Sequence, residues 1–106
     1  RWAEAYPAGE LKHGPLALVE DGTPVVVVDN GDSRLLGNLA EARARGGRIF
    51  SVGRSGGRIQ VPLSALAPCG PIEAVIPLQL LALSLAQNLG LDADKPRNLA
   101  KSVTVD

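Results

Sequence analysis

Few side chains in this sequence could carry out chemistry at a reactive site. His13 is the only histidine, and an imidazole titrates near neutral pH, so it could move a proton at a hydroxyl or a ring oxygen. Lys101 stands in the apolar setting NLAKSV, where a tail that folds back would desolvate the amine, lower its pKa and free a lone pair for attack on a ketone. On residue types alone, a structural or solvated role is the commoner outcome for both side chains.

Three further features could bind or react, and each has a simpler structural interpretation. Cys69 lies in a loop-like stretch without a basic neighbour in sequence, so we expect it to pack as a small apolar group rather than act as a nucleophile. The VDNGDS segment, residues 28–33, could offer backbone N–H groups to a phosphate, but its aspartates would repel an anion, which favours a capped turn. The GRSGGR segment, residues 53–58, could grip an anion, yet a solvated hairpin loop is the expectation.

Composition excludes several functional classes. Eleven basic and eleven acidic residues cancel to zero formal charge, so nothing draws the chain as a whole to nucleic acid or to an anionic membrane. The three aromatic residues do not interleave with a basic run, as a base-stacking platform would require. A single cysteine leaves no internal disulfide and no Cys/His cluster at metal-ligand spacing, which predicts a reducing cytoplasm, no metal and no cofactor.

The length and the two ends of the sequence indicate one folded piece of a longer polypeptide. A chain of 106 residues has the size of one ordinary domain with a single core. Hydrophobic residues make up 45% and charged residues 21% of it, as is typical of a soluble globular protein. The N-terminus has neither a methionine nor the apolar core of a signal peptide, so we expect Arg1 not to be the natural start.

The first half of the sequence predicts short helical pieces, a strand and a helix. Residues 1–20 read as two short helical or turn-like pieces separated by Gly14 and Pro15. Val25–Val28 is a β-branched run without alternation, which predicts a strand covered on both faces. Apolar residues then recur at helical spacing over residues 35–42, and the pair Gly46–Gly47 is expected to end that helix.

The second half predicts two strands and a long apolar helix. Strands are expected at residues 48–52 and 58–63, the second one short or at an edge because it contains a proline. Residues 72–89 are apolar on nearly every face, which predicts a helix buried in the fold or against a partner, with Pro77 either in its first turn or at a kink. The longest apolar stretch within it, residues 76–86, is interrupted by polar residues and is expected to be too short to span a bilayer.

Together these elements predict an α/β fold with three layers, of Rossmann or flavodoxin-like type, with a largely parallel sheet and an ordered C-terminal tail. Binding groups in such folds lie in loops at the carboxyl ends of the strands, here residues 29–33 and 53–57. The fold alone does not determine the function.

Two segments resemble the glucosamine-6-phosphate synthase family, the glutamine-dependent fructose-6-phosphate aminotransferases. They are AEAYPAGELKHGPLALVE, residues 3–20, and VIPLQLLALSLAQNLGLDADKPRNLAKSVTVD, residues 75–106. Both are similar to the second sugar isomerase (SIS) domain of that family, and the middle of the chain is similar in order and spacing. The resemblance implies that residues 1–106 are the C-terminal portion of a SIS domain, with a catalytic tail at residues 94–106.

The resemblance also implies a mechanism and roles for particular residues. The ring of fructose 6-phosphate opens, glutamine-derived ammonia replaces the C2 oxygen, and an aldose-ketose isomerisation yields glucosamine 6-phosphate for hexosamine and cell-wall precursor synthesis. His13 matches the histidine that opens the ring in the site of the neighbouring subunit of a homodimer. Lys101 matches the lysine that forms a Schiff base with the sugar. Asn98, Leu99 and Ala100 match the segment that covers the sugar.

Other parts of the family's machinery have no counterpart in this sequence. The glutamate that transfers a proton between C1 and C2 belongs upstream of Arg1, as do the first SIS domain with its phosphate loop and the glutaminase domain. The resemblance therefore implies that the fragment alone is inactive and that its partners are the rest of the same polypeptide and a second copy. Pro7, where alanine is usual, and the short GRSGGR loop depart from the family pattern.

One alternative function stays open at the level of sequence. A non-catalytic SIS module could bind a sugar phosphate, for example in a transcription regulator, or could only dimerise through the apolar helix. A DNA-binding domain encoded upstream would favour the regulator, whereas a glutaminase domain with an N-terminal cysteine would favour the synthase.

Overall fold

The computed structural model describes residues 3–53, 59–60 and 69–98. The chain forms two compact units, residues 1–74 and 75–106. The first unit carries the sheet, and the second carries most of a long apolar helix.

The sheet of the first unit is parallel. Strand β1, Pro24–Asp29, pairs with strand β2, Arg48–Gly53, in register along its whole length. A short strand β3, Ile59–Gln60, pairs with the other edge of β2, also in parallel. The predicted α/β class and parallel sheet are thus confirmed, whereas the predicted hairpin between β2 and β3 is wrong. A hairpin joins antiparallel strands, so the parallel register of Val52 with Ile59 and of Gly53 with Gln60 excludes it. The glycines had indicated a turn, but not the direction of the strand that follows it.

Helix α1, Arg34–Ala44, follows β1 and ends as its sequence predicts. The amide of Gly46 donates a hydrogen bond to the carbonyl of Arg43 (2.9 Å), and the amide of Gly47 donates one to Ala42 (3.0 Å). Gly46 has φ +85°, a conformation that costs a glycine little. This pair of hydrogen bonds closes the helix and returns the chain directly into β2.

The core of the first unit lies between β1 and α1. Val27, Leu35 and Leu39 form its centre at 8–9% exposure, and Ala8, Val25 and Ile49 pack against them. Full burial of one valine or leucine side chain contributes roughly 1.5–3 kcal/mol. The helical spacing of the two leucines therefore stabilises α1 on one face of the sheet.

The opposite face of β1 differs from the sequence prediction. Val26 and Val28 are 45% and 44% exposed, although an unbroken valine run predicts a strand covered on both faces. Strand residues alternate between faces, so the core takes Val25 and Val27 and leaves the other two valines facing away. The prediction is correct for one face of the strand and wrong for the other.

Two 3-10 helices precede the sheet, as the sequence predicts for two short pieces separated at Gly14. The first, η1, spans Ala8–His13 and contacts α1; the second, η2, spans Pro15–Leu18. Val19, directly after η2, is buried at 8% exposure. The two helices are thus anchored at both ends, through Ala8 in the core and Val19 after η2.

Helix α2, Cys69–Asn88, is longer than predicted and contains Pro77 in its interior rather than in its first turn. The amide of Leu91 donates to Ala86 (2.8 Å), and Gly90, at φ +69°, donates to Gln87 (3.0 Å), so Gly90 ends the helix as expected. Six of its large apolar side chains, Ile72, Val75, Ile76, Leu80, Leu83 and Leu85, are between 42% and 61% exposed, whereas Ala74 is buried at 4% exposure. The described part of the chain therefore does not itself bury this helix, and its burial against a partner stays a prediction.

The length of α2 also corrects the prediction that the apolar stretch at residues 76–86 is too short to span a bilayer. By length and composition alone, Gly70–Asn88 is a candidate membrane span, with mean hydropathy 1.3 and 6% of the span buried. Core helices of soluble proteins have the same length and composition, so these two properties do not identify a membrane protein.

Candidate functional site

His13 is the last residue of η1, and its side chain is exposed. Two residues anchor η1: Ala8 packs against the core cluster, and Leu11 is half-buried. The amide of Glu10 donates to the carbonyl of Pro7 (2.9 Å), which closes the first turn. The local fold therefore presents the one imidazole of the chain to solvent from an anchored segment.

Gly14 separates the two 3-10 helices in a conformation that only glycine adopts readily. Its φ is +147° and its ψ is −55°, and a side chain would be strained there. Pro15 then occupies the first position of η2, where its missing N–H costs nothing. The carbonyl of Gly14 accepts a hydrogen bond from the amide of Ala17 (2.9 Å), so the turn after His13 is defined on both sides.

The loop between β1 and α1 is built from aspartate and asparagine side chains that accept backbone hydrogen bonds two residues ahead. Buried Asp29 accepts from Gly31 (2.8 Å), Asn30 accepts from Asp32 (3.1 Å), and Asp32 accepts from Arg34 (2.9 Å). Such turns position a helix start without a ligand. The interpretation of this loop as a capped turn agrees with these hydrogen bonds.

The carboxylate of Asp32 also binds the guanidinium of Arg34. Arg34 Nη2 lies 2.6 Å from Asp32 Oδ2, and Nε donates at 3.1 Å. Hydrogen bonding from this guanidinium lowers the pKa of Asp32 to about 2, and the same contact raises the pKa of Arg34. The pair fixes the start of α1 and occupies the carboxylate that the loop would otherwise present to an incoming ligand.

Asn98 lies near the end of the second unit with φ +63°. Asparagine tolerates this left-handed conformation better than most residues do. Of the other predicted site residues, Leu99, Ala100 and Lys101 lie outside the described residues. His13 belongs to the first unit and Asn98 to the second.

Cys69 and the GRSGGR segment are the remaining candidate reactive or binding groups. Cys69 forms the first residue of α2, and most of the GRSGGR segment, residues 54–58, lies outside the described part of the chain. Among residues 3–53, 59–60 and 69–98, no group of three or more His, Cys, Asp or Glu side chains could hold a metal ion.

Sequence comparison with known proteins finds relatives of this chain in one group of enzymes. A relative from Legionella pneumophila (strain Paris), named glutamine–fructose-6-phosphate aminotransferase [isomerizing], is 52% identical over 115 aligned positions that cover 98% of this chain. A relative of the same name from Aquifex aeolicus is 47% identical over 116 positions. The chain is homologous to a segment of these aminotransferases. No protein-family model matches it.

A solved structure supports the same relationship. The C-terminal domain of the glucosamine-fructose-6-phosphate aminotransferase from Francisella tularensis superposes with a TM-score of 0.74 at 41% identity over 88% of this chain. The chain corresponds to 29% of that domain and to 19% of the length of the curated aminotransferases it matches. The structural class expected from the SIS resemblance is thus confirmed.

The sequence did not predict the backbone conformation of the residue that follows His13. The dipeptide Gly14–Pro15 indicated a boundary between two pieces but not a φ of +147° directly after the histidine. The cap at the start of α1 comes from Asp32, which lies in the predicted capped turn at residues 28–33 and accepts the amide of Arg34, the first residue of the helix.

Proposed function

We propose that this chain is the C-terminal part of the isomerase domain of a glutamine–fructose-6-phosphate aminotransferase, and that it contributes two catalytic groups to glucosamine 6-phosphate synthesis. The observation that carries the proposal is the 52% identity to the Legionella enzyme across 98% of the chain. The matched span includes the segments around His13 and Asn98, and the tail with Lys101. The isolated segment is inactive in this proposal, because the remaining groups lie elsewhere in the polypeptide.

His13 is proposed to open the ring of fructose 6-phosphate. Ring opening transfers a proton to the ring oxygen as the C2–O bond breaks and removes one from the C2 hydroxyl as the ketone forms. An exposed imidazole at the end of an anchored helix can carry out both transfers near neutral pH. Its exposure in this unit also suits delivery into the site of a neighbouring subunit.

Lys101 is proposed to attack the resulting ketone at C2, with loss of water, to form a Schiff base. Asn98, Leu99 and Ala100 are proposed to cover the sugar during this step. Asn98, the first residue of this segment, has a left-handed backbone, a conformation that asparagine tolerates better than most residues do. No metal or cofactor is required for either step.

The apolar surface of α2 is proposed to be covered by protein in the complete enzyme rather than by lipid. Six of its large apolar side chains are at least 42% exposed here, and a concentration of exposed apolar side chains commonly marks an interaction site. The apolar surface of α2 is proposed to contact the rest of the polypeptide, which includes the first SIS domain and the glutaminase domain. It is also proposed to contact a second copy of the chain in a cytoplasmic homodimer. A partnership with nucleic acid is not part of the proposal, because the formal charge is zero.

Mixing two inactive variants of the full-length polypeptide tests the shared site. His13→Gln and Lys101→Arg each abolish glucosamine 6-phosphate formation, since neither glutamine nor arginine can replace the lost chemistry. After subunit exchange, about a quarter of the wild-type activity is expected, because half of the dimers are mixed and one of the two sites in each is intact. A mixture that stays inactive while forming mixed dimers would show that His13 and Lys101 act within one subunit.

A further inference from the structure

We infer that Gly14 is a positioning residue for ring opening: its positive φ places the His13 imidazole, and no other residue type can hold that backbone without moving it. The inference rests on the proposed function of His13. It extends that function to a residue that has no side chain of its own and touches no substrate.

The geometry on either side of Gly14 supports this role. Before it, η1 is anchored to the core through Ala8, and after it, η2 leads into buried Val19. Both flanking segments are therefore anchored, and the chain passes from His13 at the end of η1 to Pro15 at the start of η2 only through the dihedral angles of Gly14. At φ +147° and ψ −55°, that residue lies outside the regions open to an L-amino acid with a side chain.

Steric space is not the reason for glycine here. A Cβ built on Gly14 would have no atom within 4 Å. The methyl group of an alanine would therefore have enough space, but the backbone conformation at this position would still be strained. The strain can be relieved only by changing dihedral angles at and beside Gly14, including ψ of His13, which shifts the end of η1 that carries the imidazole.

The test compares two substrates in the full-length enzyme. Fructose 6-phosphate is cyclic, whereas 5-deoxyfructose 6-phosphate lacks the hydroxyl that closes the furanose ring and needs no opening. Gly14→Ala is expected to lower kcat/KM for the cyclic substrate by about tenfold or more, since small misplacements of a catalytic group cost that much, and to leave kcat/KM for the acyclic substrate unchanged. A merely destabilised enzyme would lose activity on both substrates equally.

Two glycines of the same unit provide matched controls. Gly9 lies in η1 without a positive φ, and a Cβ there also meets nothing within 4 Å, so Gly9→Ala adds the same methyl group without the strain. Gly22 has φ +81° and equal open space, so Gly22→Ala adds strain away from His13. Both variants should keep the wild-type ratio of cyclic to acyclic kcat/KM. A reduced ratio in Gly22→Ala would overturn the inference, because backbone strain away from His13 would then be enough to lower the ratio.

His13→Gln separates the two hypotheses. If this variant lowers the ratio and Gly14→Ala does not, the positioning role is wrong while the proposed function stands. If His13→Gln itself leaves the ratio unchanged, the proposed role of the histidine fails and the inference fails with it. Should Gly14→Ala not fold, Gly14→Asn takes its place, because asparagine tolerates positive φ better than alanine does, and an unchanged ratio in that variant would overturn the inference.

Discussion

The close approach of β1 and β2 at their carboxyl ends predicts a large effect from a single methyl group. Gly53 ends β2 opposite Asp29 with φ +149°. A Cβ at this position would overlap the carbonyl oxygen of Asp29 and lie 2.8 Å from its carbonyl carbon and 3.1 Å from its Cα. These are backbone atoms of the partner strand, so no side chain can rotate away to make room.

The magnitude follows from two separate costs. A non-glycine residue in such a conformation costs roughly 1–3 kcal/mol, and forcing extra volume into a packed site typically costs another 1–3 kcal/mol. Gly53→Ala is therefore expected to lower the free energy of unfolding by about 2–6 kcal/mol. A typical domain has only 5–15 kcal/mol in total, so the variant should be close to its stability limit.

Urea unfolding of the C-terminal domain, followed by circular dichroism, measures this effect. Gly37→Ala is the matched control: Gly37 lies within α1, and a Cβ there meets nothing within 4 Å. Alanine is the better helix former by roughly 0.5–1 kcal/mol, so this variant should be more stable than wild type. If Gly53→Ala unfolds at the same urea concentration as the wild-type domain, the close approach of the two strand ends is refuted.

Two further predictions concern α1. Leu39→Ala should lower the free energy of unfolding by roughly 2–5 kcal/mol because the side chain is in the core at 8% exposure, whereas Leu36→Ala, at 64% exposure, should change it far less; equal losses in urea unfolding would contradict the assigned core face. The Asp32 carboxyl should titrate at about pH 2 by NMR, and Arg34→Ala should raise that pKa toward the usual value near 4. Because the folded pKa is lowered, the stabilisation by this ion pair should be complete above about pH 4 and be lost between pH 4 and 2; an Asp32 pKa unchanged by Arg34→Ala would contradict the contact.

Local signals in the sequence were sufficient for the main elements of the first unit. The valine run predicted β1 because β-branched residues favour strands, and leucines at helical spacing predicted α1 because only one of its faces meets the core. The pair Gly46–Gly47 predicted the helix end because only glycine adopts the required φ at low cost. These predictions succeed because the interactions involved lie within a few residues of one another.

Other features depend on interactions that a local pattern does not encode. The direction of β3 is set by pairing across the sheet, and the exposure of Val28 and of the α2 leucines depends on which elements pack against them. The roles of His13 and Lys101 came from family resemblance, since an exposed histidine and a tail lysine are commonplace on residue types alone. The structure adds for His13 the anchored helix and the turn at Gly14.

Trapping of the sugar by Lys101 tests the central claim most directly. The full-length polypeptide is incubated with fructose 6-phosphate and reduced with borohydride, which converts a Schiff base to a stable secondary amine, and the modified lysine is located by peptide mass spectrometry. The account predicts one adduct, on Lys101, that is lost in Lys101→Arg and retained in Lys95→Arg, which alters an exposed lysine of the same unit. An enzyme that forms glucosamine 6-phosphate without an adduct on Lys101, or that retains full activity in Lys101→Arg, would contradict it.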